Sequence, residues 1–290
     1  MGGECQLHNN IKKQFNLGQV NFINCLPINL PIELGKVKIN AKITSDVPSK
    51  LNELILKGGI DIAPVSSLTY LENKNKLTPI SNLCIASDGP CDSVLLFSKF
   101  PIEELDGAKI ALSPVSATSN KLLQIILKEF YKIICEFEIP LQIPNLQSAV
   151  PSSNYSAALS IGDHALFEFS KSTKDFFIYD LGSLWKKHTG LPMVFGIWVM
   201  RKEAWIQGSK EAEIIASQLR EAKELGLGIM FEKVVKKAQS IVLLSNDFYK
   251  TYFQHLSYEL TNETKKGLKS FEELLQIFSS NLPKHLLKQL

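Results

Sequence analysis

Ser113-Pro114-Val115-Ser116-Ala117-Thr118-Ser119-Asn120 lies between an apolar run, Ala108 to Leu112, and an amphipathic one, Lys121 to Phe130. That order reads as strand, hydroxyl-rich loop, helix. Leu122, Leu123, Ile126, Leu127 and Phe130 recur at helical spacing, and Thr118 or Ser119 suits the N-cap. A helix start carries unpaired N–H groups and the positive end of the aligned peptide dipoles, so it holds an anion without a lysine. The hydroxyls here outnumber what one cap uses. The stretch therefore predicts a carboxylate site; an ordinary capped strand-to-helix junction stays open as the alternative.

Working outward, Gln19 to Leu26 reads as a first strand ending at Asn24 and closed by Pro27, and no lysine or arginine occurs between Gly18 and Gly35. Lys36 to Ile43 alternates as a second strand. Pro48 opens a helix with Leu51, Leu54 and Ile55 as its apolar stripe, and Gly58-Gly59 ends it. Ile60 to Pro64 is a short strand running into Val65-Ser66-Ser67. Leu83–Ser87 and Ser93–Ser98 are strands on either side of the turn Asp88-Gly89-Pro90. Ala157–Ile161 is a strand ended by Gly162-Asp163, a helix begins near His164, and Phe176–Tyr179 is another strand. Met193 to Met200 is uncharged throughout, which suits a strand covered on both faces. From Lys202 to Leu290 the periodicity is helical. The fold class is α/β, in two lobes joined by two crossover strands, Ser93–Phe97 and Met193–Met200. Lobe one takes 18–97 plus 194–290, lobe two takes 98–193, and 1–17 is an N-terminal extension. A single continuous domain is the competing architecture.

A net charge of +3 is too small to argue for nucleic acid or a membrane surface as partner. The cysteines Cys5, Cys25, Cys84, Cys91 and Cys135 are odd in number and form no CxxC, which argues against a disulfide framework or a zinc site and for reduced thiols. Met1 to Leu17 has no apolar core of the kind an export signal carries, and no apolar run reaches bilayer length, so a cytoplasmic protein is expected. His8, His164, His188, His255 and His285 show no metal spacing, and phosphate-loop and dinucleotide fingerprints are missing, so neither metal nor cofactor is expected. Oligomeric state leaves no trace in the sequence.

In a two-lobed α/β fold, ligands sit in the cleft, at strand C-termini and helix N-termini. The candidates at such positions are Asn24, Ser66, Ser67, Ser87, Ser93, Ser116, Ala117, Thr118, Ser119, Asp163 and Thr189. Most are neutral donors, which points to a small ligand with carboxylates. Each has a plainer alternative: Asn24 as a turn cap, Ser66-Ser67 as caps of a helix starting near Leu68, Asp61 and Asp180 as turn braces.

Several segments together resemble the chorismate dehydratase family of the futalosine route to menaquinone. Val20-Asn21-Phe22-Ile23-Asn24-Cys25-Leu26-Pro27 is similar to the family's opening block. Val47 to Leu51 with Asp61 to Ser67, Ser87 to Pro90 with Ser93 to Ser98, and Ala111 to Ser119 resemble the next three. Ile161 to Leu166, Asp180 to Trp185, Thr189 to Pro192, Val194-Phe195 and Trp198 complete the series. Each block is loose; their joint order and spacing are specific. Phe22, Asp92 and Gly196 depart from the pattern, standing where tyrosine, glycine and alanine are expected, and Lys132 to Ser156 matches poorly. The resemblance implies a periplasmic-binding-protein (type II) fold and removal of water from chorismate to give 3-[(1-carboxyvinyl)oxy]benzoate, without a cofactor. No dedicated base stands out in the sequence, and one hypothesis consistent with it has the substrate's own enolpyruvyl carboxylate take the proton, with Asn24 orienting the reacting region and Ser93 and Ser116–Ser119 holding carboxylates. Competing readings are a solute-binding protein of the same fold and the sister enzyme that cyclises dehypoxanthine futalosine, whose opening motif Asn24-Cys25-Leu26-Pro27 does not match. A cytosolic effector-sensing domain is a third, lacking a DNA-binding helix pair ahead of it.

Overall fold

The computed structural model describes residues 14–140, 155–171 and 176–280. Among these residues the strands, in chain order, are β1 Phe15–Val20, β2 Ala41–Asp46, β3 Ile62–Ser66, β4 Leu77–Ser87, β5 Val94–Ser98, β6 Lys109–Ala111, β7 Glu136–Glu138, β8 Ala157–Ile161, β9 Phe177–Asp180, β10 Met193–Arg201 and β11 Leu256–Glu259. They form two mixed sheets, one ordered β11-β4-β10-β3-β1-β2 and the other β7-β6-β8-β5-β9. In the first, β1 runs parallel to β2 and β3, and β10 is inserted antiparallel between β3 and β4. In the second, β6 runs parallel to β7 and β8, and β5 lies antiparallel between β8 and β9. The chain crosses from first sheet to second through 88–93 and returns through 190–192. The architecture is the α/β, two-lobed one expected from the sequence.

The uncharged run became β10, with Val194, Ile197, Trp198, Val199 and Met200 buried between two neighbouring strands. β5 pairs along its length with β8 and β9, so it belongs to the second sheet, and the links at 88–93 and 190–192 make the crossings. Asp180 anchors the first link: its carboxylate accepts from the N–H of Cys91 at 3.0 Å, of Asp92 at 2.6 Å and of Ser183 at 2.9 Å. It is thus the turn brace read from the sequence.

Elsewhere the sequence reading shifts. The expected strand Gln19–Leu26 stops at Val20; Ile23–Cys25 makes one 3-10 turn and Leu26–Glu33 a helix. Pro27 sits in the first turn of that helix, where its fixed φ and missing N–H are tolerated, so it opened a helix instead of closing a strand. The second strand starts at Ala41, not Lys36, because Phe15 to Val20 pair in register with Ala41 to Asp46. Phe15 to Leu17, assigned to the extension, already belong to β1. β11 was hidden within a helical stretch: four residues on a sheet edge leave no readable alternation between two helices. The expected loop over 144–156, together with Cys5, His8 and His285, falls wholly or mostly outside the described residues.

Candidate functional site

A cleft, about 680 Å³ with the open solvent at its mouth included, lies between the sheets. Asn24, Ser66, Ser93, Ser116 and Ser119 line it, together with Phe22, Cys25, Cys91, Gly162, Phe195 and Gly196. No lysine or arginine is among the lining residues.

Asn24 rides on the Ile23–Cys25 turn. Asp163 Oδ1 accepts from the Ile23 N–H at 2.8 Å on one side, and Tyr258 Oη donates to the Asn24 carbonyl at 2.9 Å on the other. Asn24 Oδ1 is buried with no hydrogen-bond partner among the described residues. An orphaned buried acceptor costs about 1–3 kcal/mol, which a ligand donor would recover. Gly162 has φ +60°, and a Cβ there would come within 3.0 Å of the Phe22 ring. Only glycine lets Phe22 and the second sheet approach so closely.

The organising stretch folds as a loop locked by its own ends. Asn120 Oδ1 accepts from the Ser113 N–H at 2.9 Å and its Nδ2 donates to the Ser113 carbonyl at 2.7 Å. Ser116, not Thr118 or Ser119, caps the Ala117–Ile125 helix: its Oγ accepts from the Ser119 N–H at 3.2 Å and donates to Ser119 Oγ at 2.9 Å. The N–H groups of Ala117 and Thr118, in the same first turn, have no partner within the helix itself. Thr118 Oγ1 is engaged differently, accepting from the Leu68 N–H at 2.9 Å.

Ser93 stands at the start of β5. Its Oγ donates to the Cys91 carbonyl at 3.2 Å and accepts from Tyr252 Oη at 3.1 Å, while its carbonyl accepts from the Gly162 N–H at 2.7 Å. Neighbouring Asp92, with φ +55°, directs its carboxylate to His255 Nδ1 at 2.6 Å and is not among the cleft-lining residues. The unexpected charge beside Ser93 is thereby paired away from the ligand space.

The remaining candidates, Ser66 apart, do not line the cleft. Ser67 Oγ donates to the Val194 carbonyl at 2.6 Å, joining the Ser67–Glu72 helix to β10. Ser66 caps that helix, accepting from the Thr69 N–H at 3.2 Å, as read from the sequence, and faces the cleft as well. Ser87 Oγ donates to the Gly89 carbonyl at 2.9 Å and braces the 88–93 link. Thr189 Oγ1 donates to the Trp185 carbonyl at 2.8 Å and accepts from the Leu191 N–H at 3.1 Å, closing a helix end. Ala117 is exposed at the head of its helix. Asp163 touches the site through the Ile23 turn, and burial raises its carboxyl to about 6, opposed by the Ile23 N–H.

Burial pushes the Cys25 and Cys91 thiols up, so neither supplies a thiolate. Among the described residues no group of three His, Cys, Asp or Glu side chains converges as a metal site, and no helix is long and apolar enough to cross a membrane. Tyr252 and Tyr258 lie in the stretch from Lys202 to Leu290 read as helical, with no motif to mark them; what exposes them is the pairing of their hydroxyls with Ser93 and Asn24.

Comparison with known proteins speaks to the family and the fold. A chorismate dehydratase of Thermus thermophilus is 28% identical over 281 residues, 91% of this chain and 96% of the relative. One of Campylobacter jejuni is 30% identical over 183 residues, 61% of this chain and 64% of that relative. Among solved structures, a protein of Archaeoglobus fulgidus superposes with a TM-score of 0.73 at 16% identity, covering 92% of this chain and 98% of that one. The periplasmic aliphatic sulphonate binding protein of Escherichia coli superposes at 0.65 with 13% identity, covering 92% and 87%. These two likenesses speak to the fold, which is that of periplasmic binding proteins. Residues 15–276 match the profile of the menaquinone biosynthesis family, and the chain belongs to that family.

Proposed function

We propose that the protein is a chorismate dehydratase, a lyase that removes water from chorismate to give 3-[(1-carboxyvinyl)oxy]benzoate. The observation that carries this reading is the meeting of Asn24 and Ser93, far apart in sequence, in one largely apolar cleft whose polar side chains are that asparagine and the hydroxyls of Ser66, Ser93, Ser116 and Ser119, with no lysine or arginine among its lining residues. Chorismate brings two carboxylates, an allylic hydroxyl and no phosphate. At the helix start the Ser119 hydroxyl, which accepts from Ser116 Oγ and keeps its own proton to give, supplies a donor for one carboxylate. Asn24 Oδ1, unpaired in the cleft wall, accepts from the substrate hydroxyl.

The ring C–H next to the enolpyruvyl ether oxygen is broken first, and its proton passes to the substrate's own enolpyruvyl carboxylate. The electron pair delocalises through the diene toward the ring carboxylate. The neighbouring C–O bond then breaks and hydroxide leaves, taking the proton from the enolpyruvyl carboxylic acid to become water and restoring that carboxylate as the ring aromatises. The protein's part is orientation and stabilisation of developing negative charge by fixed donors. A reduced, cytoplasmic setting fits its unpaired thiols. We place the lobe boundaries in the 88–93 and 190–192 links, so that 98–193 gains β5 from the sequence-based lobe one.

A second reading, a binding protein for small acids, is favoured by the likeness to sulphonate-binding structures. Incubating the purified protein with chorismate and analysing by mass spectrometry separates the two. A product lighter by one water supports the dehydratase; bound but unchanged chorismate supports the binding protein.

A further inference from the structure

Ser93 has one proton to give and two lone pairs to fill. In the structure the proton goes to the Cys91 carbonyl at 3.2 Å, long for a hydroxyl donor, and one lone pair takes the Tyr252 hydroxyl at 3.1 Å. Tyr252 comes from the Asn246–His255 helix, remote from β5 in sequence. It is buried, and its ring is wedged between neighbours, with centroids 6.2 Å from Phe248 and Tyr249 and 5.2 Å from Phe253. That packing fixes where its hydroxyl points. Burial holds its pKa well above the ordinary phenol value, so the proton stays on Tyr252 and the group stays a donor.

We propose that Tyr252 is a positioning residue for the dehydration: by donating to Ser93 Oγ it turns Ser93 into an obligate donor to the anionic substrate. The assignment rests on the dehydratase reading and extends it. When a carboxylate or the developing anion enters the cleft, the Ser93 proton swings from the Cys91 carbonyl to the charged oxygen, because a charge-assisted bond is the stronger of the two. The Tyr252 proton then reinforces the donor from behind, as chained hydrogen bonds polarise one another. Without it, Ser93 presents a free lone pair to a dianion in a cleft that has no lysine or arginine to offset the repulsion.

The test is a double-mutant cycle on the full chain with chorismate as substrate. Tyr252→Phe is expected to lower kcat about tenfold, a fraction of what losing a direct transition-state donor costs, with KM changed less than twofold. In a Ser93→Ala background the same substitution is expected to change kcat less than twofold, because its target is gone. An unchanged kcat in Tyr252→Phe overturns the assignment, and so does an equal tenfold loss in both backgrounds. A rise in KM at constant kcat overturns it too. Should Tyr252→Phe fail to fold, 3-fluorotyrosine incorporated at position 252 keeps the shape and sharpens the donor. A kcat shifted at constant KM then supports the role, and an unmoved kcat refutes it. Wild-type protein that leaves chorismate unchanged refutes the dehydratase reading itself, an outcome distinct from an active wild type with an unaffected variant.

Discussion

Asp163→Asn separates the charge of this carboxyl from its shape. Asp163 accepts the Ile23 N–H at 2.8 Å, and asparagine retains an oxygen there. Burial carries the carboxyl from an ordinary 3.8 to about 6, so the fold binds its proton more tightly than the unfolded chain does. The sign follows. Below about pH 4 both states are protonated and the group contributes nothing. Between about pH 4 and 6 the unfolded chain ionises first, and wild-type stability falls as pH rises. Above about 6 the full penalty is present. At about 1.4 kcal/mol for each factor of ten in acidity the penalty approaches 3 kcal/mol, and roughly 2 kcal/mol is the better expectation for a side chain that water still partly reaches. Urea unfolding of wild type and Asp163→Asn from pH 4.5 to 7.5 reads it directly. About a third of that penalty is already present at pH 4.5, so the difference in unfolding free energy is expected to move by about 1.3 kcal/mol in favour of the variant across that range. A difference that stays flat with pH refutes the reasoning, whatever its absolute size.

Other substitutions test neighbouring contacts. Thr118→Val removes the buried acceptor of the Leu68 N–H and should lower the unfolding free energy by about 1–3 kcal/mol in urea titration. Gly162→Ala meets both a φ of +60° and the Phe22 ring at 3.0 Å; a loss of about 1–3 kcal/mol with a raised KM for chorismate is expected. Gly196→Ala puts a methyl 3.2 Å from the Val65 carbonyl in the cleft wall and restores the residue the family pattern has there, so stability should stay within about 1 kcal/mol of wild type.

Much of the architecture was legible because burial on both faces writes itself as an uncharged run, as in Met193–Met200, and because Pro48 and Ser66 signal helix starts locally. The Asn24 turn was misread because the same Pro27 that ends a strand also opens a helix; only the register of β1 with β2 decides between them. At the site, Asn24, Ser66, Ser93, Ser116 and Ser119 were placed in the cleft from loop position alone. Ser67, Ser87 and Thr189 carry the same hydroxyl chemistry at similar positions, yet their hydroxyls serve Val194, Gly89, and Trp185 with Leu191. A loop serine's partner is chosen by tertiary contact, which residue type does not record. For the same reason Tyr252 and Tyr258 carried no signal: their hydroxyls reach Ser93 and Asn24 across 159 and 234 positions of chain.

The central claim is that the cleft works by fixed neutral hydrogen-bonding groups orienting a dianion, with Asn24 at its reacting end. It is tested most directly by measuring single-turnover dehydration and chorismate affinity together for wild type and Asn24→Ala. The expected result is a rate at least about a hundredfold lower with affinity changed less than about tenfold, the pattern of an interaction made mainly in the transition state. An Asn24→Ala protein that dehydrates chorismate as fast as wild type would contradict the account.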